Sequence, residues 1–133
     1  NSDIQTFLNG IKSKHTLLVS DACFSGDIFR GNTVSTNFDG SDKYYIKVND
    51  LMSRQAITSG GNEPVMDGGR EGHSVFAYYF LKALENNQNK YLDASQLFEK
   101  VKTPVTNNSQ QSPLCAPIAN TGDEGGQFLF IKK

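Results

Sequence analysis

Tryptophan is absent from this chain of 133 residues, and cysteine, methionine and histidine occur only twice each. Two widely separated cysteines favour a reducing compartment over a disulfide framework, so we expect a cytoplasmic protein. No apolar run approaches the length of a membrane span, and the N-terminus has no signal-peptide pattern. The net charge of −1 gives no reason to expect nucleic acid or an anionic membrane as a partner.

Hydrophobic spacing predicts an α/β domain in which helices and strands alternate. A capping box at Ser2 and Gln5 begins an amphipathic helix, and a short leucine- and valine-rich run follows it. A helix followed by a buried strand is half of a β-α-β unit whose first strand is missing from this chain. The chain opens on Asn1 in the middle of what looks like a helix cap, so we expect a processed or trimmed piece. The predicted elements are helices over 2–13, from Ser74, and from Asp93 to Pro104, and strands over 16–20, 53–59 and 128–131.

Two stretches lack sustained periodicity. Residues 27–52 are rich in glycine, asparagine, serine, threonine and aspartate, which predicts a long loop. Residues 62–72 contain several glycines among charged residues and predict a second, flexible loop. Loops as long as the first one are usually functional or disordered in compact domains.

The first predicted strand runs directly into a polar turn that contains a cysteine. The turn reads Asp21-Ala22-Cys23-Phe24-Ser25-Gly26. In parallel sheets covered on both faces, catalytic groups gather at the carboxyl ends of the strands, which is where Cys23 would stand. Cys23 is therefore a candidate nucleophile. The alternative is a structural residue, because a free cysteine commonly packs as a small hydrophobic side chain.

This turn resembles the nucleophile turn of the caspase and metacaspase superfamily, whose caspase version contains Gln-Ala-Cys. Together with the helix start Gly72-His73-Ser74-Val75-Phe76, it resembles the C-terminal part of a prokaryotic caspase-like peptidase. The resemblance implies an α/β three-layer sandwich with a mostly parallel central sheet flanked by helices, incomplete in this chain. Residues 1–133 would be the C-terminal portion of one peptidase domain, and residues 27–52 the loop that is cut on activation.

The resemblance also implies a cysteine endopeptidase with a Cys-His dyad and no cofactor. Cys23 would attack the scissile carbonyl, and its own N–H would be one oxyanion donor. The family's histidine lies about 50 residues before the cysteine, whereas only 22 residues precede Cys23. His15 stands at the opposite end of the predicted strand, and His73 is expected to help start a helix, although a groove role stays open. We expect the base to come from a preceding segment or chain.

The residues around the cysteine suggest a cationic substrate. Asp21 and Cys23 are two apart on an extended strand, so their side chains project to the same face. Metacaspases carry aspartate at this position and accept arginine or lysine at P1, because a carboxylate pairs with a guanidinium. Ser59, Glu63 and Asp67 are expected to line the groove for a protein or peptide substrate with a basic P1 residue. The alternative for Asp21 is an aspartate that caps the turn.

A basic P1 preference would make Arg30 and Lys43 possible self-cleavage sites. The alternative is that both are ordinary charged side chains exposed to solvent. Many metacaspases need calcium, but the scattered aspartates of residues 27–52 lack the ligand spacing of a calcium loop, so we expect no obligatory metal.

Two other functional classes compete with the peptidase. One is a catalytically inactive caspase-fold interaction or scaffold module, which follows if the base is absent from the mature protein. The other is a different thiol hydrolase or a redox-sensing cysteine on an α/β sheet. The second cysteine, Cys115, lies between two prolines and is expected to be a packing or loop residue.

Overall fold

The computed structural model describes residues 2–23, 29, 41–60 and 73–133, with the side chains of Ser2 and Cys23 outside that description. This part of the chain is mixed α/β, with four helices, a three-stranded mixed sheet and a two-stranded sheet. None of the helices in these ranges is long and apolar enough to cross a membrane. The elements are α1 Ser2–Asn9, β1 His15–Cys23, α2 Asp42–Asp50, β2 Ser53–Gly60, α3 Val75–Glu85, β3 Tyr91–Asp93, α4 Ala94–Asn108, β4 Leu114–Pro117 and β5 Leu129–Ile131.

The three-stranded sheet has the order β1-β2-β4. β1 and β2 run parallel, with Leu18 opposite Ala56, and β4 joins the other side of β2 in the antiparallel direction. Every residue of β2 is buried, as expected for a central strand. The β1–β2 register shifts after Ser20, and Cys23 then lies opposite Gly60.

Separate hydrophobic clusters cover the two faces of this sheet. On one face, Ile57 packs with the buried sides of α3 and α4, and Leu17 of β1 joins this cluster. On the other face, Ala56 packs with Leu8 of α1, and Leu18 joins that cluster. Successive strand residues point to opposite faces, so the alternation of these residues places helices on both sides. The predicted α/β class is therefore confirmed, whereas the described sheet is mixed rather than mostly parallel, with one parallel and one antiparallel strand pair.

The predicted helix starts at Ser74 and Asp93 are confirmed. Ser74 caps α3, its Oγ accepting a hydrogen bond from the Ala77 N–H at 3.0 Å. Asp93 and Gln96 form the predicted capping box of α4. The Gln96 N–H donates to Asp93 Oδ1 at 2.7 Å, and the Asp93 N–H donates to Gln96 Oε1 at 2.8 Å.

Helix α2 corrects the predicted loop over residues 27–52, because its nine residues occupy the C-terminal part of that range. Ser41 is its N-cap and accepts a hydrogen bond from the Tyr44 N–H. Tyr45 and Val48, three residues apart, are the buried positions. The Tyr44 hydroxyl donates to Asp93 Oδ2 at 2.5 Å, so α2 is held by contacts to a distant part of the chain.

Helix α4 corrects the prediction that Pro104 ends the helix, because it continues to Asn108. Proline removes one N–H from the helix, and the carbonyl that loses this donor is that of Lys100, on the exposed side. Val105 lies in the turn after the proline and is fully buried. Its packing offsets the lost hydrogen bond.

The C-terminal segment ties the two sheets together. β5, the predicted closing strand, pairs antiparallel with β3 rather than with the central sheet. Before it, Gln127 Oε1 accepts a hydrogen bond from Gln55 Nε2 at 3.0 Å, and the Phe128 N–H donates to Gln55 Oε1 at 3.0 Å. These bonds satisfy the amide of Gln55, which is buried inside β2.

Candidate functional site

The candidate site is the carboxyl end of the parallel pair β1 and β2. Cys23 is the last residue of β1, and its backbone pairs with Gly60, the last residue of β2. β1 and β2 are parallel, so their last residues lie side by side at the carboxyl-terminal end of the sheet. In open α/β sheets, ligands bind at this end. Cys23 stands at the carboxyl end of β1 as predicted, but the strand continues to Cys23 and does not give way to a turn after residue 20.

Asp21 is exposed two residues before Cys23 and is bound to the start of α3. The Ser74 hydroxyl donates a hydrogen bond to Asp21 Oδ2 while accepting one from the Ala77 N–H. This contact brings the N-terminus of α3, the positive end of its dipole, to the carboxyl end of β1. An ionised carboxylate has about four acceptor positions, so Asp21 retains capacity for a further donor.

Ser59 lies beside Gly60 on β2 and is fully buried. Its Oγ has no hydrogen-bond partner among the described residues. The structure thus places Asp21 and Ser59 at the same end of two adjacent strands. Their predicted contacts with substrate stay predictions.

The two histidines lie at different ends of the sheet. His15 is the first residue of β1 and pairs with Ser53, so a whole strand separates it from Cys23. This agrees with its exclusion as the catalytic base. His73 is exposed and directly precedes Ser74, whose hydroxyl binds Asp21.

Three residues with predicted roles, Arg30, Glu63 and Asp67, lie outside the described residues. The possible cleavage site Lys43 is described, and it is exposed in the first turn of α2. A peptidase binds its substrate in an extended conformation, so cleavage after Lys43 requires the start of α2 to unfold.

Gln111 is a residue that sequence reasoning missed. It follows α4 in the connection to β4, and only 3% of its surface is exposed. A Cβ atom on Gly60 would lie 3.6 Å from Gln111 Cβ, which places the glutamine against the end of β2. The surrounding sequence is polar and gives no signal of burial, because the burial arises from tertiary packing alone.

The second cysteine, Cys115, belongs to the hydrophobic core. It lies in β4, is buried, and pairs with Ile57 in the core of the molecule. Burial raises the pKa of its thiol to about 12, with smaller contributions from Asp93 and Glu99. The prediction that Cys115 is a packing residue is confirmed, and its protonated thiol is a poor nucleophile.

Within the described ranges, no group of three or more histidine, cysteine, aspartate or glutamate side chains is arranged to hold a metal ion.

Comparison of the chain with protein-family models, with curated proteins and with solved structures found no significant match.

Proposed function

We propose that this chain is the nucleophile-bearing part of a cysteine endopeptidase that cleaves after arginine or lysine. The observation that carries the proposal is the position of Cys23 and Asp21 together at the carboxyl end of β1, beside the parallel strand β2. Open α/β sheets bind their ligands at the carboxyl ends of the strands. The resemblance of the surrounding turn to the caspase-like nucleophile turn supplies the reaction class.

In the proposed reaction, the Cys23 thiolate adds to the scissile carbonyl carbon and forms a C–S bond. Backbone N–H groups hold the oxyanion, and an imidazolium then protonates the leaving amine as the C–N bond breaks. Water, deprotonated by the same imidazole, hydrolyses the acyl-enzyme and releases the thiol. The N-terminus of α3 favours negative charge near this edge, which supports a thiolate there.

The P1 preference rests on Asp21. Its carboxylate is exposed, and the one hydrogen bond from Ser74 fixes its position while leaving acceptor positions for a guanidinium or an ammonium group. Glu63 and Asp67, in the segment that follows β2, add negative charge to the groove in this proposal. An acidic P1 side chain would be repelled by the same groups.

The catalytic base belongs, in this proposal, to a preceding segment or a separate upstream fragment. β1 is the outermost strand of the described sheet, and Val19 is 40% exposed although it lies in an apolar run. Strands of parallel sheets are normally covered on both faces and paired at their edges. A further strand alongside β1 would supply that cover, and a histidine at its carboxyl end would lie next to Cys23.

The alternative function is an inactive caspase-fold interaction or scaffold module. The location of His15 favours the scaffold module. His15 lies at the far end of β1 and therefore cannot deprotonate Cys23. The alternative applies if no histidine from elsewhere reaches the site.

Labelling of Cys23 tests the proposal. The protein, with any segment that naturally precedes Asn1, is treated with peptidyl acyloxymethylketones that carry arginine, lysine, a neutral residue or aspartate at P1. We expect arginyl and lysyl reagents to modify Cys23, with Cys115→Ala labelled like the wild type and Cys23→Ala not labelled. Iodoacetamide labelling of Cys23 without any peptidyl labelling would favour the scaffold module.

Asp21→Asn tests the P1 assignment in the same assay. Loss of a hydrogen bond between charged groups should lower the preference for arginine over a neutral P1 residue by about 10- to 100-fold. Ser74→Ala keeps the carboxylate but removes the hydrogen bond that fixes it, so it should lower the preference less than Asp21→Asn does. An unchanged preference in Asp21→Asn would contradict the assignment.

A further inference from the structure

Buried side-chain nitrogen and oxygen atoms that lack a hydrogen-bond partner among the described residues occur at both ends of the β1–β2 pair. At the end opposite Cys23 they are His15 Nε2, Ser53 Oγ and Arg54 Nε, although the other guanidinium nitrogens of Arg54 do donate hydrogen bonds. At the Cys23 end they belong to Thr58, Ser59 and Gln111. Gln111 is the most conspicuous member, because both its Nε2 and its Oε1 lack a hydrogen-bond partner among the described residues.

The position of Gln111 relative to Cys23 follows from two contacts. Cys23 pairs with Gly60 across the sheet, and a Cβ atom on Gly60 would lie 3.6 Å from Gln111 Cβ and 3.8 Å from its Cγ. Adjacent strands are about 4.8 Å apart and a Cβ projects from the face of the sheet, so Gln111 lies within roughly 10 Å of Cys23. A bound peptide of two or three residues, at about 3.3 Å per residue, spans that distance.

The chain holds this amide at a stability cost. Its backbone is fixed, because the Gln111 N–H donates to Ser109 Oγ at 3.0 Å and the Ser109 hydroxyl donates to the Val105 carbonyl oxygen at 2.8 Å. On folding, the amide of the side chain loses its hydrogen bonds to water and gains none from the described residues. Burying a donor and an acceptor in this way lowers the free energy of unfolding. An apolar side chain of the same size would avoid this cost, so the amide calls for a partner that the described residues do not supply.

The chemistry of the amide identifies the ligand group. A carboxamide carries one N–H₂ donor and one C=O acceptor, which match the C=O and N–H of a peptide bond. It is neutral, so it does not discriminate between charged P1 side chains. We infer that Gln111 is a positioning residue that hydrogen-bonds to the main chain of a peptide substrate next to Cys23. The inference rests on the proposed peptidase function and extends it to a specific contact.

The test compares Gln111→Met with Gln110→Met. Methionine has nearly the shape of glutamine without its polar atoms, and Gln110 is the exposed neighbour that serves as the matched control. For each variant and the wild type, the rate of Cys23 alkylation is measured with a peptidyl-arginyl acyloxymethylketone, with its neutral-P1 analogue and with iodoacetamide. The thermal unfolding midpoint is measured in parallel.

We expect Gln111→Met to react about tenfold more slowly with both peptidyl reagents, because it loses hydrogen bonds to the peptide. Its rate with iodoacetamide should stay within about twofold of the wild type, since this reagent has no main chain to hold. Its unfolding midpoint should be equal to or above that of the wild type, because no buried amide is left unsatisfied. Gln110→Met should resemble the wild type throughout.

Three results would overturn the inference. Unchanged peptidyl rates would show that the amide touches no substrate. An equal loss with iodoacetamide would show that Gln111 holds the site together instead of binding the peptide. A loss confined to the arginyl reagent would assign Gln111 to the P1 side-chain pocket. Failure of the proposed function itself has a separate signature, namely wild-type protein that reacts with iodoacetamide but with neither peptidyl reagent.

Discussion

At the residue scale, burial determines the ionisation of Cys115. The pKa of its thiol is raised from 9.0 to about 12, chiefly by burial. In the unfolded chain the thiol releases its proton near pH 9, while the folded chain keeps the proton. The unfolded state therefore binds fewer protons above pH 9, and the free energy of unfolding decreases as pH rises from 9 towards 12. Below pH 9 this contribution to stability is fully present.

Cys115→Ala should flatten this part of the pH dependence. We expect the wild type to lose more stability than the variant between pH 8 and pH 11, as measured by urea unfolding at a series of pH values. Tyr45 also has a raised pKa, mainly from burial, so a residual slope should remain in Cys115→Ala. Equal slopes in the two proteins would show that the Cys115 thiol ionises with its ordinary pKa in the folded state.

Gly126 is a position at which any side chain would clash with the backbone. A Cβ atom at this position would lie 2.2 Å from the Leu51 carbonyl oxygen and 2.9 Å from that of Val48. Both are backbone atoms at the end of α2, so they cannot move aside as a side chain can. Its neighbour Gly125 has a φ of +87° and no atom within 4 Å of such a Cβ.

Alanine at these two glycines should therefore have unequal effects. We expect Gly126→Ala to lower the free energy of unfolding by about 3 kcal/mol through overpacking. Gly125→Ala should cost about 1 kcal/mol, from left-handed backbone strain alone. Urea denaturation of both variants measures the difference, and equal losses would contradict the assigned contacts.

At the scale of the elements, Asp93 joins three of them. It ends β3, caps α4 through Oδ1, and accepts the Tyr44 hydroxyl of α2 through Oδ2. The side chain is fully buried, so each of these hydrogen bonds replaces one to water. α2 therefore depends on a residue about 50 positions further along the chain for its attachment.

Asp93→Ala should destabilise the protein by about 2–3 kcal/mol, because it removes both the cap and the acceptor of Tyr44. Tyr44→Phe removes the hydroxyl bond alone and should cost about 1 kcal/mol. In a double-mutant cycle the two losses should not add, since they share one contact. Additive losses would mean that the Tyr44 and Asp93 side chains do not interact in solution.

The elements also show what the sequence can and cannot predict. Ser74, Asp93 and Gln96 act locally, so the starts of α3 and α4 were predicted from residue type and spacing. α2 was missed because it has only nine residues, of which only two, Tyr45 and Val48, are buried. Its stability comes from tertiary contacts, which local patterning does not contain.

The same distinction holds for the candidate site. The position of Cys23 and Asp21 at the end of a strand was predictable from the apolar run that precedes them, but the prediction that this strand is buried was wrong, because β1 is only partly covered. The Ser74–Asp21 hydrogen bond and the burial of Gln111 join segments about 50 residues apart, at positions 21 and 74 and at positions 60 and 111. No local rule relates such positions, so only the folded chain reveals them.

At the scale of the whole molecule, the described chain is organised around β2. Helices pack on both faces of this strand, β1 and β4 pair with its edges, and the C-terminal segment binds its Gln55 side chain. The candidate site lies at one end of this arrangement, so side chains that stabilise the core and those that carry the proposed chemistry are largely separate. Substitutions at the Cys23 end are accordingly expected to alter reactivity more than folding.

The outer edge of β1 has a practical consequence for handling the protein. Its N–H and C=O groups on that side have no strand partner within the described sheet, and its leucines and valine are only partly covered. Such an edge adds a strand from any chain that offers one. Two copies of this chain, produced without a polypeptide that covers β1, should therefore self-associate through this strand. The extent of self-association should increase with protein concentration and decrease in mild detergent.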